Sequence, residues 1–145
     1  MHEGGAEAMS KYGMSDVQVA RVLGLLSLGV GAVELMFGRQ LNQALGLGQS
    51  PQLLRATGAR NAGTGYLIRM YPDMAGPVWL RVAGHVLDAA VVLGGLNRRR
   101  NPNRDATRLV LAALVGATVL DVATASSLTR RHRKALATAR RTRVR

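Results

Sequence analysis

Residues 79–96 read WLRVAGHVLDAAVVLGGL, an apolar run of helix length that nonetheless carries Arg81, His85 and Asp88. The three stand at i, i+4 and i+7. On a helix that spacing lines them along one face and leaves Val82, Val86, Leu87 and Ala90 to cover much of the rest. Ionisable groups in so apolar a setting must turn inward and find partners, because an unpaired charge in an apolar medium carries a prohibitive desolvation cost. Those partners have to come from other helices. The stretch therefore predicts an all-α bundle with charges inside and hydrocarbon-compatible surface outside, the organisation of a small membrane protein.

The neighbouring segments extend this pattern. Residues 109–128, LVLAALVGATVLDVATASSL, contain Asp121 as their only charge and form the strongest transmembrane signal in the chain. A soluble amphipathic helix would show a polar face at every turn, and this segment does not. Residues 17–37, VQVARVLGLLSLGVGAVELMF, are long enough to cross roughly 30 Å of hydrocarbon, and Ser15 and Asp16 can cap them. Gly24, Ser27, Gly31 and Glu34 recur there at three- and four-residue steps, giving a narrow small-residue stripe along which another backbone can approach. Pro51 stands where a helix can start, since its missing N–H costs nothing in a first turn. The segment that follows, LLRATGARNAGTGYLIRMY, is the least apolar of the four. It carries Arg55, Arg60, Asn61 and Arg69, and is expected to be the most protein-enclosed.

The connections are polar. Residues 38–51, GRQLNQALGLGQSP, hold too many glycines and amides to span, although LNQALGL suits one short amphipathic turn at the interface. PDMAGP is a tight turn with Tyr71 and Trp79 as aromatic anchors on either side, and GGLNRRRNPNRD stops the third helix. The expected organisation is a mobile N-terminal tail over 1–16, a four-helix transmembrane bundle over 17–129 and a basic C-terminal tail over 130–145. The bundle's helices are expected near 17–37, 52–71, 77–97 and 107–129.

Composition agrees with this reading. The chain has 145 residues, enough for one domain, and no cysteine, so neither a disulfide framework nor a thiolate metal site is available. Aromatic residues make up only 3%, and the apolar surface is built from Leu, Val, Ala and Gly, which favour close helix packing in lipid. Mean hydropathy is only +0.07 because the charges sit between the apolar segments: the segments hold eight of the twenty-eight charged residues. No basic n-region precedes a short apolar core, so no cleavable signal peptide is expected.

The net charge of +12 is concentrated at the C-terminal end, where RRHRKALATARRTRVR carries eight basic residues and no acidic one. Arg130, Arg131, Arg133, Lys134, Arg140 and Arg141 are expected to meet anionic lipid, or a protein partner or second copy, and to help set orientation. Nucleic acid is not expected as a partner, because no aromatics interleave the basic residues to stack on bases. The fourth helix is basic at both ends, so the positive-inside rule pulls both ways. The longer basic tail points to termini in the cytoplasm, and the apolar segments to a multi-pass membrane protein.

Reaction chemistry is missing from the sequence. There is no phosphate loop, paired-carboxylate site, nucleophile elbow or helical zincin motif, and His2, His85 and His132 are far apart. No catalytic residue, metal or cofactor is expected. The candidate site is instead an intramembrane charge network of Glu34, Arg60, Asn61, Arg81, His85, Asp88 and Asp121. At ~1.5 Å of rise per residue, Glu34, Arg60 and Asp88 fall at compatible depths of ~5–12 Å from one face. Arg81 and Asp121 fall ~6–10 Å from the other. Arg60 is therefore expected to meet Glu34 or Asp88, and Arg81 to meet Asp121, which leaves His85 without an assigned partner. Glu34 itself reads either as a proton or cation ligand or as half of a buried ion pair, and the second reading is the expected one.

Four motifs carry a resemblance. GVGAVEL (29–35), GARNAGTG (58–65), WLRVAGHVLD (79–88) and the lone Asp121 are similar to a small four-helix membrane domain of unknown function in high-GC bacteria. That domain occurs alone or alongside polyketide cyclase/dehydrase-like domains. The resemblance covers about 19–128. It implies a four-helix membrane fold and lends no catalytic residue, any cyclase-like chemistry belonging to a neighbouring domain. Asn61 and His85 stand where the family pattern often has acidic residues.

The function expected is a structural or accessory membrane role, with ion pairs stabilising the bundle and the basic tail meeting lipid or a partner. The alternative is a small transporter, proton-coupled or lipid-binding module using the polar seam of His85, Asp88 and Asp121. A soluble basic four-helix protein that binds nucleic acid is the third reading.

Overall fold

A computed structural model of the chain describes residues 15–97 and 101–143, with side chains to residue 139. Four helices follow one another: α1 (Asp16–Ala44), α2 (Pro51–Met70), α3 (Ala75–Leu96) and α4 (Arg104–Arg143). They run alternately up and down, so the start of α1, the α2–α3 turn and the distal part of α4 share one end of the bundle. Trp79 Nε1 donates to Thr129 Oγ1 at that end, and Asp16 pairs there with Arg131 and accepts from Ser127. The α1–α2 and α3–α4 connections share the opposite end.

Local chemistry explains the helix starts. Ser15 and Gln18 form a reciprocal capping box on α1, and the Ser50 side chain accepts from the Leu53 N–H just ahead of Pro51. Asp16, expected to share the capping, instead reaches across to α4.

Two helices are longer than expected. The first continues past Phe37, whose non-helical φ of −119° and ψ of 19° kink it, and runs on to Ala44, because RQLNQA contains no breaker until Gly46. The supposed 38–51 loop is thus reduced to about one turn. The fourth helix continues through Arg143, 40 residues in all, so the basic segment is not a separate tail. Nothing in TRRHRKALATARRTR stops a helix, and Ala, Leu, Arg and Lys are among its best formers. At ~1.5 Å per residue this helix is ~60 Å long, about twice a hydrocarbon core, so its basic end projects beyond it. Residues 1–14 of the expected N-terminal tail and the arginines at 98–100 lie outside the described residues.

α1, α3 and α4 are each long and apolar enough to cross a membrane; α2 is not. The surface is inverted relative to a soluble protein. Leu25, Val86, Leu87 and Val119 are each about 60% exposed, whereas Arg81, His85 and Asp121 are buried at 7%, 8% and 0%. Burying charge while exposing large aliphatic side chains is sensible only where the surroundings are themselves apolar.

α1 packs most intimately on α2 and α3 on α4, giving two hairpins; α2 meets α3 less closely, and α1 meets α4 only sparsely. The backbones of α1 and α2 nearly touch where Gly24, Gly31, Gly58 and Gly65 face one another. One narrow face of α2 makes that contact: Leu54, Gly58, Asn61, Thr64, Gly65 and Ile68 are buried, a slightly larger share than on the other helices, while Arg55, Tyr66 and Arg69 lie exposed. A small core of Ala20, Ile68, Val78, Ala125 and Leu128 closes the end that holds the start of α1.

The opposite end is closed by a polar clamp. The Asn101 amide donates to the carbonyls of Leu45 and Gly95, its Oδ1 accepts from the Asn103 N–H, and the buried Thr107 hydroxyl donates to Leu45. Gly46 lies beneath it at φ +58°, where a Cβ would collide with the Asn101 side chain. Since a left-handed non-glycine residue costs about 1–2 kcal/mol before any clash, Gly46→Ala is expected to lower thermal stability in detergent by at least that much. Gly63→Ala, on a helix face where a Cβ meets nothing, is the control and should be neutral or slightly stabilising. Equal melting of the two variants would refute the clamp.

Candidate functional site

Helical spacing turns polar groups of all four helices inward, where they meet across the α1–α2, α2–α3 and α3–α4 contacts. On α3, Arg81, His85 and Asp88 fall along one inward face, as their spacing required. Gly84 sits between them, and a Cβ there would stand 3.2 Å from Arg60 Nε, so the missing side chain makes room for the Arg60 guanidinium arriving from α2.

Two charge clusters result. In the first, Arg60 Nη2 reaches Asp88 Oδ1 at 2.5 Å and Asn61 Oδ1 at 3.3 Å. Asn61 Nδ2 donates to Glu34 Oε2 at 2.8 Å, and the Asn61 carbonyl accepts from Ser27 Oγ at 2.8 Å. Arg60 thus pairs with Asp88 and not with Glu34, which corrects the expectation that Glu34 forms half of an ion pair. The reason is reach: Asn61, one residue along α2, occupies the position facing α1 and supplies a neutral amide instead.

In the second cluster, Asp121 is fully buried between Arg81 and His85. Arg81 Nε lies 3.0 Å and His85 Nδ1 3.1 Å from Asp121 Oδ2. Both are close polar contacts rather than aligned hydrogen bonds, and Asp121 Oδ1 has no hydrogen-bond partner. Arg81 also donates through Nη1 to the Leu23 carbonyl, tying α3 to α1. His85, unassigned from sequence, therefore shares Asp121 with Arg81. The Leu23 carbonyl was invisible to sequence reasoning, because any helical residue has one and only the three-dimensional approach selects it.

Beside these clusters lies a cavity of about 660 Å³. Its walls are mainly aliphatic side chains of α1, α3 and α4, including Leu26, Val30, Val33, Val92, Val110 and Leu114. Glu34, Asn61, Arg81, His85 and Asp88 supply the polar part of its lining. It occupies the sparse α1–α4 seam, where Leu25, Leu26 and Val30 are more than half exposed, so it opens sideways through the apolar girdle. Volumes of roughly 300–1,000 Å³ with apolar walls and a few convergent polar groups are typical of small-molecule sites.

The basic residues Arg130, Arg131, Arg133 and Lys134 are all exposed on the projecting part of α4. The side chains of Arg140 and Arg141 lie outside those described. Among the described residues no group of histidines and carboxylates is arranged to hold a metal ion. No family model matches the chain, and no curated protein or solved structure matches it either.

Proposed function

We propose that the chain is a small multi-pass protein of the bacterial inner membrane with an accessory, non-enzymatic role. Its ion pairs hold two helical hairpins around a lateral cavity, the cavity takes up a lipid-like molecule from the bilayer, and the basic end of α4 rests against anionic headgroups or a partner. The bacterial setting rests on the resemblance of four sequence motifs. The role as a binding module rests on one observation, the side-opening cavity of about 660 Å³ with aliphatic walls and a polar patch. Such walls favour the lipid-binding form of the alternative over a transporter, which needs a water-lined path. The guanidinium–carboxylate pairs tie α2 to α3 and α3 to α4, which favours a scaffold over a proton relay.

The test is native mass spectrometry of the full chain released gently from membranes. A single amphipathic molecule is expected to copurify with the wild-type protein. Gly29 lines the cavity and a Cβ there meets nothing, so Gly29→Leu should narrow the cavity without unfolding the bundle and weaken that adduct. A bare wild-type protein, or an adduct unchanged in Gly29→Leu, would refute the binding role.

A further inference from the structure

One carboxylate of the cavity's polar lining has no cationic partner. Three carboxylates, Glu34, Asp88 and Asp121, stand in the two clusters, and the two guanidiniums go to two of them: Arg60 pairs with Asp88 and Arg81 with Asp121. His85 lies against the same Asp121 oxygen as Arg81 and forms no pair with Glu34. Glu34 receives only the neutral Asn61 amide, and among the described residues no arginine, lysine or histidine forms an ion pair with it. It is also part of the cavity wall, with Asp88 on the same lining and Val30 and Val33 just before it on α1.

We infer that the cavity selects an amphipathic amine, with a protonated nitrogen seated against Glu34 and an apolar body lying along the aliphatic walls between α1 and α4. This rests on the cavity-binding reading above and adds the charge of the ligand. A protonated amine gives Glu34 the ion-pair partner that no described side chain supplies and donates to the Glu34 oxygen that Asn61 leaves open. A carboxylate headgroup would instead add a like charge beside Glu34 and Asp88, and an alcohol would leave Glu34 without a cation. The cavity volume suits a single-chain or drug-sized amine rather than a two-chain phospholipid. Arg60 and Arg81, the cations that could attract an anion, are already engaged by Asp88, Asp121 and the Leu23 carbonyl.

Dodecylamine, dodecanol and dodecanoate share one chain length and differ in head charge, so they separate the charge from the cavity. Binding of each radiolabelled probe to the full chain in nanodiscs at neutral pH, corrected for uptake by empty nanodiscs, is the measurement. Dodecylamine should bind saturably and at least about tenfold more tightly than dodecanol, the scale of one charge-assisted contact, with dodecanoate weakest. Glu34→Gln, which keeps the size of the side chain and its acceptor for Asn61, should remove that tenfold preference. Unchanged dodecanol binding in the same variant would show that the cavity has survived. Equal affinity for the amine and the alcohol, or a preference that persists in Glu34→Gln, overturns the amine assignment and leaves the cavity reading standing. Failure of all three probes to bind saturably overturns both.

Discussion

Asp121→Ala is expected to be the most destabilising conservative-sized deletion in the bundle, costing about 3–5 kcal/mol, the scale of breaking one side of a buried ion pair. Asp121 is fully buried, and Arg81 and His85 both close on one of its oxygens. Removing the carboxylate strands the Arg81 guanidinium, itself only 7% exposed, with the Leu23 carbonyl as its remaining hydrogen-bond partner. Since a small domain is stable by about 5–15 kcal/mol, the loss should show as a large fall in thermal midpoint in detergent. The double variant Arg81→Met, Asp121→Leu separates charge from packing. Apolar replacement of both members of a buried pair is often nearly neutral, so the double variant should melt well above Asp121→Ala. A double variant whose loss equals the sum of the losses of Arg81→Met alone and Asp121→Leu alone would mean that Arg81 and Asp121 are not coupled, and the second cluster would then be no ion pair.

This pair was legible in the sequence because two independent constraints met on it. The spacing of Arg81, His85 and Asp88 fixed a polar face on α3, and helix rise put Arg81 and Asp121 at similar depths. Depth alone could not decide between Glu34 and Asp88 for Arg60, since rise along an axis says nothing of rotation about it. Rotation is set by the glycine contact of α1 with α2, which turns Asn61 toward Glu34 and leaves Arg60 for Asp88. The same limit hid the Asn101 clamp, whose partners include two backbone carbonyls, Leu45 at the end of α1 and Gly95 near the end of α3. Helix ends beyond the apolar segments were missed for another reason. Hydropathy marks where a chain stops being apolar, but α1 continues until Gly46, and α4 runs on through Arg143 because no breaker interrupts it. The cavity follows from none of these patterns. It exists because α1 and α4 fail to close on each other, and a gap between two apolar faces leaves no mark in either sequence.

The glycine contact should be the other point where one side chain does most damage. A Cβ on Gly31 would lie 2.5 Å from the Ala62 nitrogen, 2.7 Å from the Gly58 oxygen and 2.9 Å from the Ala62 Cα. All three are backbone atoms in the middle of a helix, so no side chain can swing aside and the helices themselves must separate. Overpacking typically costs about 1–3 kcal/mol where neighbours can yield; here Gly31→Ala should reach the top of that range and Gly31→Leu exceed it. Separation would also draw Asn61 away from Glu34 and Ser27, and Arg60 away from Asp88, so the polar cluster loosens with the packing. Two residues earlier Gly29 faces open space, and Gly29→Ala should be neutral. The chain's single tryptophan gives a direct readout, because Trp79 is hydrogen-bonded across α3 and α4 to Thr129 and its emission should report unfolding of the bundle. Melting followed by that emission should place Gly29→Ala with the wild type and Gly31→Leu far below it. Coincident curves for the two would mean that α1 and α2 do not approach backbone to backbone, and the geometry that directs Asn61 to Glu34 would lose its cause.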